Sequence, residues 1–121
     1  MADFARIING YWISEEIAPH RIGDGIEINL DISTDEGWSH ATVKRNNEVV
    51  SFYALKYSKM IEHEDGRKLT LYFTVVNREE LQQTIDEVVL ECELIFESEP
   101  FQMKCKVNME KFARIYTKIE R

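Results

Sequence analysis

Hydrophobic and polar positions alternate with a period of two along much of this chain, most clearly in EVVLECELIFESEPFQMKCKVN, from Glu87 to Asn108. Val88, Leu90, Cys92, Leu94 and Phe96 form one apolar row, with Glu91, Glu93 and Glu97 between or beside them. Phe101, Met103, Cys105 and Val107 form a second, interleaved with Gln102, Lys104 and Lys106. Such alternation predicts two half-buried strands, and ESEP between them suits a hairpin connection. Setting Phe96 opposite Phe101 pairs Leu94 with Met103, Cys92 with Cys105 and Leu90 with Val107. The same register sets Glu93 against Lys104 and Glu91 against Lys106. Burying a large apolar side chain contributes roughly 1.5–3 kcal/mol, an exposed ion pair about 0.2–1, so burial fixes the register and charge agrees with it.

Two further hairpins are predicted. TVKRNNEVVSF turns at Asn46-Asn47; with Arg45 opposite Glu48, Trp38 meets Leu55, His40 meets Tyr53 and Val43 meets Val50. YSKMIEHEDGRKLTLYF turns at Glu64-Asp65-Gly66, the glycine supplying a bulge with positive φ. Pairing His63 with Arg67 then sets Ile61 against Leu69, Tyr57 against Phe73 and Leu55 against Val75. On these registers Trp38, His40, Tyr53, Leu55, Tyr57, Leu71, Phe73 and Val75 share one face, and Val43, Val50 and Phe52 lie on the reverse. A bulge in either strand would exchange the two faces.

IEINLDI (Ile26–Ile32) alternates cleanly, FARIINGYWIS reads as the first strand and KFARIYTKIE as the last, with Ala113, Ile115, Thr117 and Ile119 in its apolar row. EEIAPHRIGDG is a turn or short helix, and NREELQQTIDE (Asn77–Glu87) a helical turn capped by Asn77. About eight strands joined in sequence by short connections predict an all-β, antiparallel up-and-down barrel forming a single domain over residues 1–121. The alternative is an α+β antiparallel sheet with a C-terminal helix, because NMEKFARIYTKIER also carries helical spacing at Met109, Phe112, Ala113, Tyr116 and Ile119.

The chain has 22 Asp+Glu against 15 Lys+Arg, a net charge of −7. Counterion release therefore offers it no affinity for nucleic acid, which is set aside as a partner. Eight of the acids fall between Glu79 and Glu99, a stretch without Lys or Arg. That segment is either a solvated face or a surface for a basic protein partner. No stretch approaches the roughly 20 apolar residues of a membrane span, and MADFARIING has no signal-like apolar run, so a cytoplasmic location is expected. There Cys92 and Cys105, cross-strand neighbours within disulfide reach, stay reduced.

Catalytic chemistry is not apparent. His20, His40 and His63 form no HxH or HExxH pair, and two cysteines without a nearby histidine make a poor zinc site. DISTDEG (Asp31–Gly37) departs from a calcium loop in the place of its glycine and in Thr42, where a bidentate glutamate is needed. GxSxG is absent. No metal, cofactor or catalytic residue is therefore expected.

The ends of the chain carry a resemblance. INGYWIS places Gly10-Tyr11-Trp12 on the first strand, and the chain finishes IYTKIER. This resembles the lipocalin-like (calycin) superfamily, with a Gly-x-Trp on the first strand and an arginine near the last. The resemblance implies that Trp12 closes one barrel end and that Arg121, or alternatively Arg114, packs over it. An eight-stranded barrel can be filled by side chains or hold one small ligand. The expected function is non-catalytic binding of a small apolar or amphipathic molecule against Trp38, His40, Tyr53, Tyr57, Leu71 and Phe73. The alternative is an interaction or inhibitor module using the acidic outer face, and an enzyme working through His40 and a tyrosine has the least support.

Overall fold

The register expected for the hairpin between Glu87 and Asn108 is present from Leu90–Val107 to Leu94–Met103 in the computed structural model, although Phe96, expected in the inward row, is exposed. The structure describes residues 4–15, 24–32, 38–45, 48–75, 87–108 and 112–119. A short helix, α1 (Phe4–Ile8), precedes eight strands. These are β1 (Gly10–Glu15), β2 (Asp24–Leu30), β3 (Trp38–Arg45), β4 (Glu48–Glu62), β5 (Lys68–Val75), β6 (Glu87–Ile95), β7 (Gln102–Val107) and β8 (Arg114–Ile119). Each strand pairs antiparallel with its sequence neighbour, and β1 with β8, so the sheet closes into an up-and-down barrel without free edges. Among the described residues no helix is long and apolar enough to cross a membrane.

β6 and β7 pair Cys92 with Cys105, Leu94 with Met103, Glu93 with Lys104 and Glu91 with Lys106. The strict burial alternation of both strands sends the apolar row inward. Phe96 and Phe101 meet edge to face at 5.5 Å beyond the last ladder pair.

The β3–β4 hairpin departs from expectation. Arg45 does face Glu48, but the register shifts between Val43 and Lys44, and Val43 meets Ser51. Beyond this bulge every partner is displaced by one: Ala41 faces Tyr53, His40 faces Ala54, Ser39 faces Leu55 and Trp38 faces Lys56. Because side chains alternate, a one-residue slip moves a whole row across the sheet. Ser39, Ala41, Val43, Tyr53 and Leu55 therefore point inward, while Trp38, His40 and Phe52 point outward. Trp38 and His40 do not share a face with Tyr53 and Tyr57.

A second irregularity between Tyr57 and Lys59 shifts the lower half of β4 against β5, so Ile61 faces Thr70 rather than Leu69. Above it, Tyr57–Phe73 and Leu55–Val75 pair as expected. Gly66 does not adopt positive φ; the turn is held by Asp65, whose carbonyl accepts from Lys68 N at 3.0 Å and whose carboxylate accepts from Arg67 N at 3.1 Å.

Both chain ends carry corrections. Residues Phe4–Ile8 are helical, and the first strand begins only at Gly10. Gly10 has φ +129°, a conformation that favours glycine, and a Cβ there would also lie 3.1 Å from Lys118 Cε. The strand expected at the C-terminal end is β8, which excludes the C-terminal helix for Arg114–Ile119. Its inward row is the opposite one: Arg114 faces Cys105, Tyr116 faces Met103, and Tyr116 is fully buried. Residues 16–23, 33–37, Asn46-Asn47, Asn77 with the turn expected after it up to residue 86, and Arg121 lie outside the described residues; Glu87, where that turn was expected to end, opens β6.

One apolar cluster runs through the barrel, and Trp12, Tyr116, Phe73, Leu71, Leu94 and Met103 are among its fully buried side chains. Dense interdigitation of this kind fills the middle of the interior. The strands are staggered, as closure of eight requires. Stepping across the ladder from Trp12 through Ile28 and Ala41 reaches Tyr53, whereas stepping the other way meets Lys118 first.

Candidate functional site

The closed end is built from three chain segments. Trp12 is completely buried, and its indole Nε1 donates to Ile8 O at 2.7 Å. Lys118 Nζ lies 5.6 Å from the centre of the Trp12 ring and donates to Ile7 O at 2.6 Å. The last carbonyls of a helix lack partners within it, and a cation there also meets the negative end of the peptide dipoles. Trp12 and Lys118 thus fasten α1 across the barrel floor. Asn9 completes the seal, its Oδ1 accepting from Ile32 N at 2.8 Å, and Ser39 Oγ accepts from Asp31 N at 2.9 Å. Burial of its ammonium lowers the pKa of Lys118. Among the described residues the cation over Trp12 is Lys118. Arg114 occupies the first position of β8, at the other end of that strand.

The opposite end has a different lining. β8 runs from Arg114 down to Lys118, so Arg114 turns inward on the side away from Trp12. On the far wall Ala41, Val43 and Tyr53 point in and are only partly buried. Tyr57 lies lower, partly buried, its ring 6.0 Å from Phe73; burial raises the pKa of its phenol.

Of the six residues expected to line a pocket, four are inward: Tyr53, Tyr57, Leu71 and Phe73. Leu71 and Phe73 are fully packed, which leaves Tyr53 and Tyr57 with surface to offer. Trp38 is half exposed on the outer wall, and His40 stacks there on Phe52 at 5.4 Å. Arg114 was expected only as an alternative cation over Trp12, and its inward place at the other end was missed because Ile115, Thr117 and Ile119 looked like the apolar row. The usable signal was Tyr116, which the rejected helical spacing included.

The acidic stretch is partly neutralised. Glu93 sits between Lys68, at 4.0 Å, and its ladder partner Lys104; Glu91 faces Lys106. Arg67 pairs with Glu97 at 2.6 Å, raising the arginine pKa and lowering that of the carboxylate. An outer groove of about 440 Å³ runs beside these residues, where His63 Nε2 and Thr70 Oγ1 lie 2.8 Å apart. The groove is open to water, and His63 is exposed in it while Thr70 is buried. Cys92 and Cys105 are buried and not joined by a disulfide, and the Cys92 thiol donates to Cys105 Sγ at 3.6 Å. Among the described residues no three His, Cys, Asp or Glu side chains are placed to hold a metal ion.

No family model, curated protein or solved structure matches this chain significantly.

Proposed function

We propose that the protein is a non-catalytic, lipocalin-like binder of a small amphipathic molecule with an anionic head, held at the barrel end away from Trp12. The observation that carries this reading is the inward position of Arg114 beside partly buried Ala41, Val43 and Tyr53 across the barrel. A guanidinium on the inner wall favours carboxylate, sulfonate or phosphate, and the apolar wall favours a short hydrocarbon or ring. The packed middle limits such a ligand to the upper barrel, with Tyr57 and then Leu71 and Phe73 beneath it. The closed eight-stranded topology, with Gly10 and Trp12 at the sealed end, supports the lipocalin-like reading. A cytosolic setting fits Cys92 and Cys105 as thiols rather than a disulfide.

The test is displacement of anilinonaphthalene sulfonate from the folded protein by decanoate and, separately, by decanol. Decanoate should displace the dye at lower concentration than decanol, and Arg114→Gln should bring the two together. Equal displacement from the unaltered protein would remove the role of Arg114. No saturable dye binding would end the proposal.

The alternative, capture of a basic partner by the acidic face, receives less support, since Glu91 and Glu93 already have lysines opposite them.

A further inference from the structure

The chain carries an excess of acids, yet residues 38–45, 49–61 and 66–78 contain no Asp or Glu. In the fold these stretches make up most of β3, β4 and β5, three adjacent strands. Their outward positions bring Trp38 beside Lys56, His40 onto Phe52, and Lys59 over the Tyr72 ring at 4.7 Å. Trp38 is 50% exposed, Phe52 44% and Ile61 42%. The wall is bordered by Glu27, bonded to Lys44 at 3.3 Å, and by Glu87 and Glu91 of β6, opposite Thr74 and Thr70.

We propose that this outer β3–β5 wall is a docking surface for an acidic polypeptide bearing apolar side chains, a partner distinct from any ligand inside the barrel. Large rings with exposed faces are over-represented at the centres of protein interfaces, where carboxylates are scarce. Lys56 and Lys59 stand among those rings, and carboxylates of the partner would complete them as charge pairs. Charge also selects among occupants. A second copy packed face to face on a twofold axis would set these lysines against their own counterparts, which is unfavourable. Single-stranded nucleic acid can stack on rings, but it needs more cations than these and meets a chain of net charge −7.

The full chain should be titrated with a random glutamate–tyrosine copolymer while Trp emission is followed with excitation at 295 nm; Trp38 is exposed and Trp12 buried, so contact is read at Trp38. Saturable, salt-sensitive binding is expected. It should weaken by about tenfold or more in Phe52→Ser and in the double variant Lys56→Glu/Lys59→Glu, and stay unchanged in Lys104→Glu on the opposite wall. Circular dichroism of each variant verifies folding. An equal loss in Lys104→Glu would reduce the effect to diffuse charge and overturn the proposal. So would absence of binding, preference for oligothymidylate over the copolymer, or a dimer in sedimentation that Phe52→Ser dissociates. Because Arg114 lies inside the barrel, Arg114→Gln separates this surface from the interior reading: it should leave copolymer binding intact.

Discussion

Lys118 of the last strand stands over Trp12 of the first, its Nζ 5.6 Å from the ring and bonded to the carbonyl of Ile7. One cation therefore joins helix, first strand and last strand at the barrel floor. The indole has a second attachment through Nε1 to Ile8 O. Removing the ring should open a cavity and leave the Ile8 carbonyl without its indole donor. Trp12→Ala should cost about 3–5 kcal/mol in urea unfolding. A cost below about 1 kcal/mol would mean that the floor is not a structural plug.

The lowered pKa of Lys118 gives a pH dependence with a definite sign. The unfolded chain keeps this lysine protonated up to about 10.4, while the folded state releases its proton earlier. Between the two values the unfolded state binds more protons, so this group makes stability rise as pH increases through that window. Tyr57, whose folded-state pKa is raised, works in the other direction above its ordinary value. The difference between wild type and Lys118→Met isolates the lysine. Relative to the variant, wild type should gain stability on moving from neutral pH toward pH 10; a flat difference would refute the desolvation of Lys118.

Gly10 adopts φ +129° and sits against Lys118. Gly10→Ala combines a backbone conformation closed to other residues with a contact that must give way. A loss of roughly 1–3 kcal/mol is expected in chemical denaturation. Full stability in this variant would show that the β1 entry can adopt another path.

Phe73 and Tyr53 separate folding from binding. Phe73 is fully buried, so Phe73→Ala should destabilise by about 3–5 kcal/mol, and reduced ligand affinity there would report the damaged core. Tyr53→Ala removes a partly buried side chain and should lower ligand affinity with a smaller loss of stability. The paired comparison of urea midpoints and dye displacement decides this. Equal destabilisation by both would put Tyr53 in the core as well.

The two buried thiols lie on adjacent central strands of the hydrophobic cluster. Thiolate chemistry needs access, so alkylation in native buffer should be slow and should label Cys92 and Cys105 together, at the rate of global opening. Fast labelling of one cysteine would reveal local opening of β6 or β7.

The register of the β6–β7 hairpin was legible because its two signals, apolar alternation and cross-strand charge, select one pairing. The β3–β4 pair has apolar residues on both walls: Tyr53 and Leu55 face in, Phe52 faces out. With neither wall polar, alternation cannot locate an extra residue in the ladder, and the bulge beside Val43 reversed the expected places of Trp38 and His40. In β8 the inner row contains Arg114 and Lys118, whose charges made it look like the solvent side. The aliphatic stem of Lys118 packs against the closed end while its ammonium finds the Ile7 carbonyl, a contact between residues 111 positions apart that no local pattern carries. Strand order and closure followed from element count alone, whereas the inner surface was set by the positions where polar side chains turn inward.

The β1–β8 seam has a consequence for synthesis. Tyr11 is paired with Ile119, so the first strand waits for the last before its second edge is covered. A ribosome-bound chain can build the hairpins in order, but until β8 emerges the sheet stays open along β1 and β7. Its apolar lining is then exposed at the stage when nascent chains are most prone to misassociate. The barrel therefore cannot close before β8 is available, and a protein cut short before Arg114 would stay an open, adhesive sheet.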